Sequence, residues 1–235
     1  MSESILAEGI QGALKLIFSG EQRVYSAAFT SVWVASISTT AAFLLGMPLA
    51  FLLAFNRFPG RQAVITLLNT LLALPTVVVG LFVYALIRRG SWLGPLDLLF
   101  SPSAMIIGQV VLAVPIVTAL GHAALAAGGK TARETAISLG ASPVRAAATT
   151  AWETRFGLMA ALAAAGGRLI SEVGVSLMLG GNIAGYTRSL TTAIALETSK
   201  GEFAFAFALG IILVMLALVV NFLLRYAQGK GEEAA

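Results

Sequence analysis

Cysteine is absent from the 235 residues, which excludes disulfides, iron–sulfur clusters and thiolate metal sites. A single histidine, His122, excludes a His-rich metal centre. Charge is scarce as well: 11% of residues are Asp, Glu, Lys or Arg, against about a quarter in soluble domains. No Lys/Arg cluster interleaved with aromatics occurs, so nucleic acid is not an expected partner. There is no phosphate-binding Gly-x-x-x-x-Gly-Lys-Ser/Thr loop, so the chain is not expected to hydrolyse a nucleotide. Apolar residues dominate at 58%, with a mean hydropathy of +0.90. That supply exceeds what one soluble core of this length could bury. The remaining solvent for it is lipid.

Long apolar segments define an all-α integral membrane protein with five transmembrane helices, at about 24–56, 63–87, 103–127, 156–178 and 203–224, all but the fourth free of Asp, Glu, Lys and Arg. Pro75 and Pro115 fall inside the second and third and predict kinks there. Segment 181–199 is too polar for a sixth span. The N-terminal segment 1–23 carries Glu3, Glu8, Lys15, Glu21 and Arg23, unlike a secretory signal. Ile5, Leu6, Ile10, Leu14, Ile17 and Phe18 recur at helical spacing, so 4–18 reads either as an amphipathic helix on the membrane surface or as a frayed tail. The membrane-embedded body is thus 24–225, followed by a tail at 226–235.

Basic residues near span ends set the orientation. Arg57, Arg61, Lys130, Arg133, Arg145, Arg155, Arg225 and Lys230 would share one side; Lys15, Arg23, Arg88, Arg89, Arg188 and Lys200 would share the other. The richer side is the cytoplasmic candidate, which places the N-terminus outside and the C-terminus inside.

The long polar segment of that side, 128–155, has legible local chemistry. Thr131-Ala132-Arg133-Glu134 fits a capping box and predicts a helix over 132–139. Gly140 suits the left-handed position beyond its end, with Ala141 completing the turn. Ser142 and Pro143 suit the N-cap and first position of a second helix over 143–153. Ala132, Ala136 and Leu139 form a small apolar face. Such a helix pair either docks into a groove on another protein or simply connects two spans.

The run Glu134-Thr135-Ala136, then Gly140, resembles the cytoplasmic coupling loop of ABC-importer permeases. The Ile-x-Leu-Pro half of that family pattern is missing, since Thr150-Ala151-Trp152-Glu153 stands in its place. The resemblance makes Thr131, Glu134, Ala136, Gly140, Ala141 and Ser142 the candidates for contact with an ATPase subunit.

Arg168 and Glu172 fall inside the fourth span, where an ionisable group costs at least ~2.5 kcal/mol on insertion scales. Their i, i+4 spacing permits an ion pair, which serves either an aqueous path or the gluing of helices. After them comes a stretch rich in Gly, hydroxyls and amides. Gly180, Gly181, Asn182, Thr187, Arg188, Thr191 and Thr192 are its candidate donors and turn residues for an anion, unless the stretch is simply a turn between a span and an interfacial helix.

The run Gly181-Asn182-Ile183-Ala184-Gly185-Tyr186-Thr187-Arg188, with Arg168-Leu169-Ile170-Ser171-Glu172-Val173-Gly174 before it, is similar to tungstate-type oxyanion permeases of ABC importers. Phe58-Pro59-Gly60-Arg61 and Leu74-Pro75-Thr76-Val77-Val78-Val79-Gly80-Leu81 extend the likeness upstream. It implies a non-catalytic permease in the cytoplasmic membrane of a bacterium or archaeon. It also implies a homodimer with two ATPase subunits inside, which hold Mg-ATP, and a substrate-binding protein outside. No cofactor or metal is expected on this chain. Molybdate and methionine permeases are rival readings within transport. From other classes, a membrane anchor would tolerate Leu at 168 and 172, and an intramembrane hydrolase would need His122 beside a hydroxyl such as Ser103 or Thr118.

Overall fold

The computed structural model describes residues 2–229. It is all helical, with no strand among the described residues. The helices are α1 (Ser2–Ser19), α2 (Gln22–Phe55), α3 (Arg61–Leu71), α4 (Thr76–Ile87), α5 (Pro102–Ala124), α6 (Lys130–Ser138), α7 (Pro143–Glu153), α8 (Arg155–Ile170), α9 (Gly174–Gly180), α10 (Leu190–Ser199) and α11 (Phe203–Gly229). Three helical stretches are long and apolar enough to cross a membrane, or up to five if each of two bent pairs counts as one span. Lys230 and the rest of the expected tail lie outside the described residues, and α11 runs through its first part, to Gly229.

Several expectations need correction. The bend at Pro75 is a full break rather than a kink: α3 ends at Leu71, Pro75 caps the start of α4, and the two helices are bent by 104°. The residue before a proline is pushed out of the helical region, and Pro75 itself adopts φ −62°, ψ 126° as the N-cap of α4. Its carbonyl then accepts the N–H groups of Val78 and Val79. Pro48 and Pro115, by contrast, sit inside unbroken helices. The fourth expected span is also broken, between Ile170 and Gly174, by 57°. Finally, no new helix begins at Thr131. A π-helical stretch, Leu125–Gly129, joins α5 to α6, so that Pro102–Ser138 is one helical stretch. Gly129 at the N-cap position is itself right-handed helical, and no side chain caps α6. A Thr in the middle of a continuous helix has no orphan amide to cap; Lys130 instead faces Glu134 at 3.9 Å.

The chain forms two compact units. The first gathers Met1–Ser38, Pro75–Gln109 and Gly167–Leu223. In it, Leu16, Val24, Ala27, Leu190, Ala193, Ala208 and Leu209 form a buried cluster that ties α1, α2, α10 and α11 together. α1 is therefore a packed helix on this cluster, with Ile10, Leu14 and Phe18 left exposed. A second set of close contacts joins α4, α5 and α9. Gly80 lies against Val175 and Met178, and Gly174 against Thr76 and Val77. A Cβ on Gly108 would come within 2.5 Å of Val175 Cγ1. We expect Gly108→Leu to destabilise the chain by roughly 1–3 kcal/mol, the usual range for overpacking. Thermal unfolding of the purified protein in detergent checks this, and a melting point equal to wild type would contradict the tight packing.

The second unit gathers Thr39–Leu74, Val110–Gly166 and the chain from Leu224 onward. Gly46 packs on Val117 and Thr118, Gly121 on Met47 and Ala50, and Gly157 on Ala124. Small residues at these contacts let backbones approach closely where no hydrophobic force separates helix from lipid. The hydroxyls in these apolar helices are satisfied locally: Thr118, Thr150 and Thr154 donate to the carbonyls of Val114, Ala146 and Thr150. Such back-bonding makes Thr tolerable in an apolar interior.

Candidate functional site

The Arg168–Glu172 pair is formed, with 2.7 Å between Arg168 Nη1 and Glu172 Oε2. Glu172 is 1% exposed at its side chain and Arg168 42%. The pair does not lie along one helix. Arg168 is in the last turn of α8, and Glu172 is in the break before α9. Each charge thus sits at the helix end whose dipole favours it. An Arg-before-Glu order, unfavourable within one helix, becomes favourable across two. Glu172 does more than pair. Its Oε1 accepts the Val175 N–H at 3.1 Å, and its backbone carbonyl accepts the Thr191 hydroxyl at 2.9 Å.

The stretch after α9 is knotted by its own side chains. Gly181 (φ 69°) and Asn182 (φ 53°) are both left-handed. Gly181 also lies against Phe100, and Gly180 against Met105 and Thr187. The fully buried Thr187 hydroxyl donates to Gly180 O at 2.5 Å and accepts Ile183 N–H at 3.0 Å. Ile183 O receives the amides of Tyr186, Thr187 and Arg188. Arg188 donates to Asn182 Oδ1 and O, at 3.1 and 3.2 Å. Asn182 in turn donates to Thr192 O. Thr192 and Ser189 form the capping box that starts α10. The loop amides of Gly181, Ile183, Tyr186, Thr187 and Arg188 therefore serve internal partners in this conformation rather than converging on an open anion cradle.

Two features of this unit have no local sequence signal. Ser31 in α2 receives the Leu190 N–H at 2.8 Å and so anchors α10. Gln109 donates to Ser176 at 3.3 Å while its own buried carbonyl finds no partner. Both join residues distant in sequence, so only the folded chain reveals them. A cleft of about 330 Å³ is lined by Gln22, Arg23, Ser26, Gly185 and Arg188. Arg23 pairs with Glu21 at 2.6 Å.

In the other unit, α6 and α7 form a helical hairpin. Gly140 (φ 83°) makes its turn. Ser142 caps α7 by accepting the Arg145 N–H at 3.4 Å, with Pro143 in the first turn, as the local chemistry predicts. Ala136 is buried, but Leu139, Val144 and Trp152 stand out into solvent. A cleft of about 600 Å³ runs along the hairpin, lined among others by Thr131, Ala136, Leu139 and Ala141. Glu134 contacts Lys130 rather than the Thr131 backbone.

Among the described residues, the contacts of His122 do not make a hydrolytic arrangement. Its Nε2 faces the Arg61 guanidinium at 3.2 Å, which can only donate. That contact occupies the lone pair a general base would use. Thr118 donates to backbone carbonyls, and Ser103 sits at the opposite end of α5. Among the described residues, no group of three or more His, Cys, Asp or Glu could hold a metal ion.

Comparison with known proteins decides the family. The tungstate uptake system permease protein TupB of Campylobacter jejuni is 42% identical over 216 residues, covering 92% of this chain and 90% of the relative. The chain belongs to the tungstate-uptake permease family of ABC transporters. A second member, TupB of Peptoclostridium acidaminophilum, is 33% identical to this permease and covers 92% of it and 95% of the relative. A chain of the MetNI methionine ABC transporter, solved in an inward-facing conformation, superposes with a TM-score of 0.68 at 20% identity. It covers 85% of the permease and 92% of that chain, and establishes the shared fold. No family model matches the permease. The permease is a multi-pass membrane protein with the ABC-permease fold.

Proposed function

We propose that this permease forms, as a homodimer, the membrane path of an ATP-driven importer for a tetrahedral oxyanion, first of all tungstate. The observation that carries the reading is the 42% identity to a tungstate uptake permease over 92% of the chain. In this reading the chain makes five crossings, with the two bent helix pairs each counted as one. Its N-terminus lies outside the cytoplasmic membrane of a bacterium or archaeon. Two ATPase subunits bind and hydrolyse Mg-ATP on the inner side, and a binding protein delivers the anion on the outer side. The permease itself holds no cofactor and makes no covalent change to its cargo.

The α6–α7 hairpin is the coupling element. Leu139, Val144 and Trp152 are large apolar side chains held in solvent at its surface. Stranding three such groups costs free energy, and a groove on an ATPase subunit would offset that cost. Thr131, Glu134, Ala136, Gly140, Ala141 and Ser142 shape the hairpin and its turn. On the outer side, the cleft of Arg23 and Arg188 supplies positive charge to an arriving dianion. Arg168 and Glu172 set the polarity further in. A path lined by donors and half-neutralised charges can admit a dianion and still release it.

The test is uptake of tungstate by the assembled transporter carrying Gly140→Val. A β-branched residue at φ 83° costs roughly 1–2 kcal/mol, spent in the turn that the ATPase would grip. We expect the variant to insert and fold, yet to lose most of its ATP-coupled uptake. Wild-type uptake by this variant would overturn the hairpin's role. Competition by molybdate in the same assay measures how far the path itself discriminates between the two anions.

A further inference from the structure

Four cations converge where α2 ends and α6 begins. Arg57, Arg61, Lys130 and Arg133 line one cleft of about 400 Å³, with Glu134 as the only carboxylate and Ala54, Phe55 and Asn56 as the remaining wall. Two of the cations are already held in place. Arg61 Nε donates to Leu53 O at 2.7 Å and its Nη2 meets His122 Nε2 at 3.2 Å. The Arg133 guanidinium lies 5.2 Å from the centroid of the Phe55 ring. Fixed donors bind a ligand with less loss of side-chain freedom. Lys130 is 3.9 Å from Glu134, so the carboxylate answers one charge of the four. Like charges gathered this closely repel, and a multiply charged anion would relieve the repulsion.

We propose that this cleft is a binding site for a phosphate-class tetrahedral oxyanion. Guanidinium forks match the oxygens of such a group two at a time. The group can come as an anionic lipid headgroup or as a free ion in solution. The surroundings suit a headgroup, because Leu52, two residues before Ala54 on α2, and Val64, three residues after Arg61 on α3, are exposed and acyl chains could lie along them. Basic pockets at the ends of membrane helices bind headgroups by this chemistry. Since Lys130 and Arg133 belong to the first turn of α6, an occupied site clamps the root of the hairpin to the end of α2. The site rests on the geometry of this chain and not on what the permease carries.

The full chain, purified in zwitterionic detergent, is compared with its Arg57→Gln/Lys130→Gln and Arg57→Lys/Lys130→Arg variants. In one arm, native mass spectrometry measures retention of phosphatidylglycerol against phosphatidylcholine. In the other, phosphate and tungstate are each titrated calorimetrically into chains embedded in phosphatidylcholine nanodiscs. A headgroup site predicts that wild type prefers phosphatidylglycerol, that the glutamine pair loses the preference roughly thirtyfold, at about 1 kcal/mol per cation, and that the Lys/Arg exchange keeps it. A free-ion site predicts saturable binding of phosphate or tungstate with the same order among the variants. If, with melting points unchanged, neither arm separates wild type from the glutamine pair, the proposal fails. If the charge-preserving exchange loses binding together with the glutamine pair, it fails as well.

Discussion

Arg168→Leu is expected to destabilise the permease by about 3 kcal/mol, the lower end of what stripping one partner from a buried ion pair costs. The lower end applies because Arg168 itself is 42% exposed, whereas Glu172 is 1% exposed. The penalty falls on the partner left behind, since the glutamate remains in its pocket with only the Val175 N–H for its charge. Thermal unfolding in detergent reads the loss. Replacing both residues by Leu removes the orphaned charge and is expected to recover much of the stability, because apolar replacements for buried pairs are often neutral. It does not recover the Val175 contact, worth on the order of 1 kcal/mol. Tungstate uptake then separates two roles for the pair. If the charges belong to the path, uptake stays low in the double variant although the fold is restored. Full uptake by a stable double variant would reduce the pair to a structural device.

Thr187→Val is expected to cost roughly 2–4 kcal/mol without changing the shape of the side chain. The hydroxyl serves two backbone groups, the buried Gly180 O and the part-buried Ile183 N–H. The buried carbonyl left unpaired costs about 1–3 kcal/mol, and the lost bond at Ile183 on the order of 1 kcal/mol more. The methyl that replaces the hydroxyl cannot satisfy either one. Hydrogen exchange should report the damage at Ile183 first, since its amide loses its partner directly. Unchanged protection there, together with a wild-type melting point, would mean that the loop is held by something other than Thr187. Thr187→Ser, which keeps the hydroxyl, is expected to stay close to wild type and so isolates the hydrogen bonds from the packing.

Where the determinants are local, the sequence is legible. Gly140 needs φ 83° and Ser142 accepts an amide three residues on, so the turn and the second helix of the hairpin can be read from the residues themselves. The Thr131 capping box fails for a reason the residues do not display. A capping box matters only if a helix starts there, and the π-helical stretch before it removes the start. The break at Ser171–Val173 has no proline to announce it. It is held from outside, by Thr191 on the Glu172 carbonyl, and from across the turn, by Glu172 on the Val175 amide. In the glycine-rich stretch the sequence shows donors and cannot show their partners. Thr187 and Asn182 claim those partners within the folded loop in this conformation. The apolar segments are the easiest to read, because lipid demands long uncharged runs whatever the packing.

The five-residue π-helical stretch at Leu125–Gly129 gives the permease a rotary setting. Successive residues in an α-helix are turned by about 100°, and a π-turn is in effect one residue inserted into that count. Deleting a single alanine there would swing the whole hairpin about a quarter turn and aim Leu139 and Trp152 at the wrong bearing. Because Pro102–Ser138 is one helical stretch, a rotation of the span would carry the start of the hairpin with it. A transporter wired through such a stiff shaft would have its phase fixed by one residue of helical pitch.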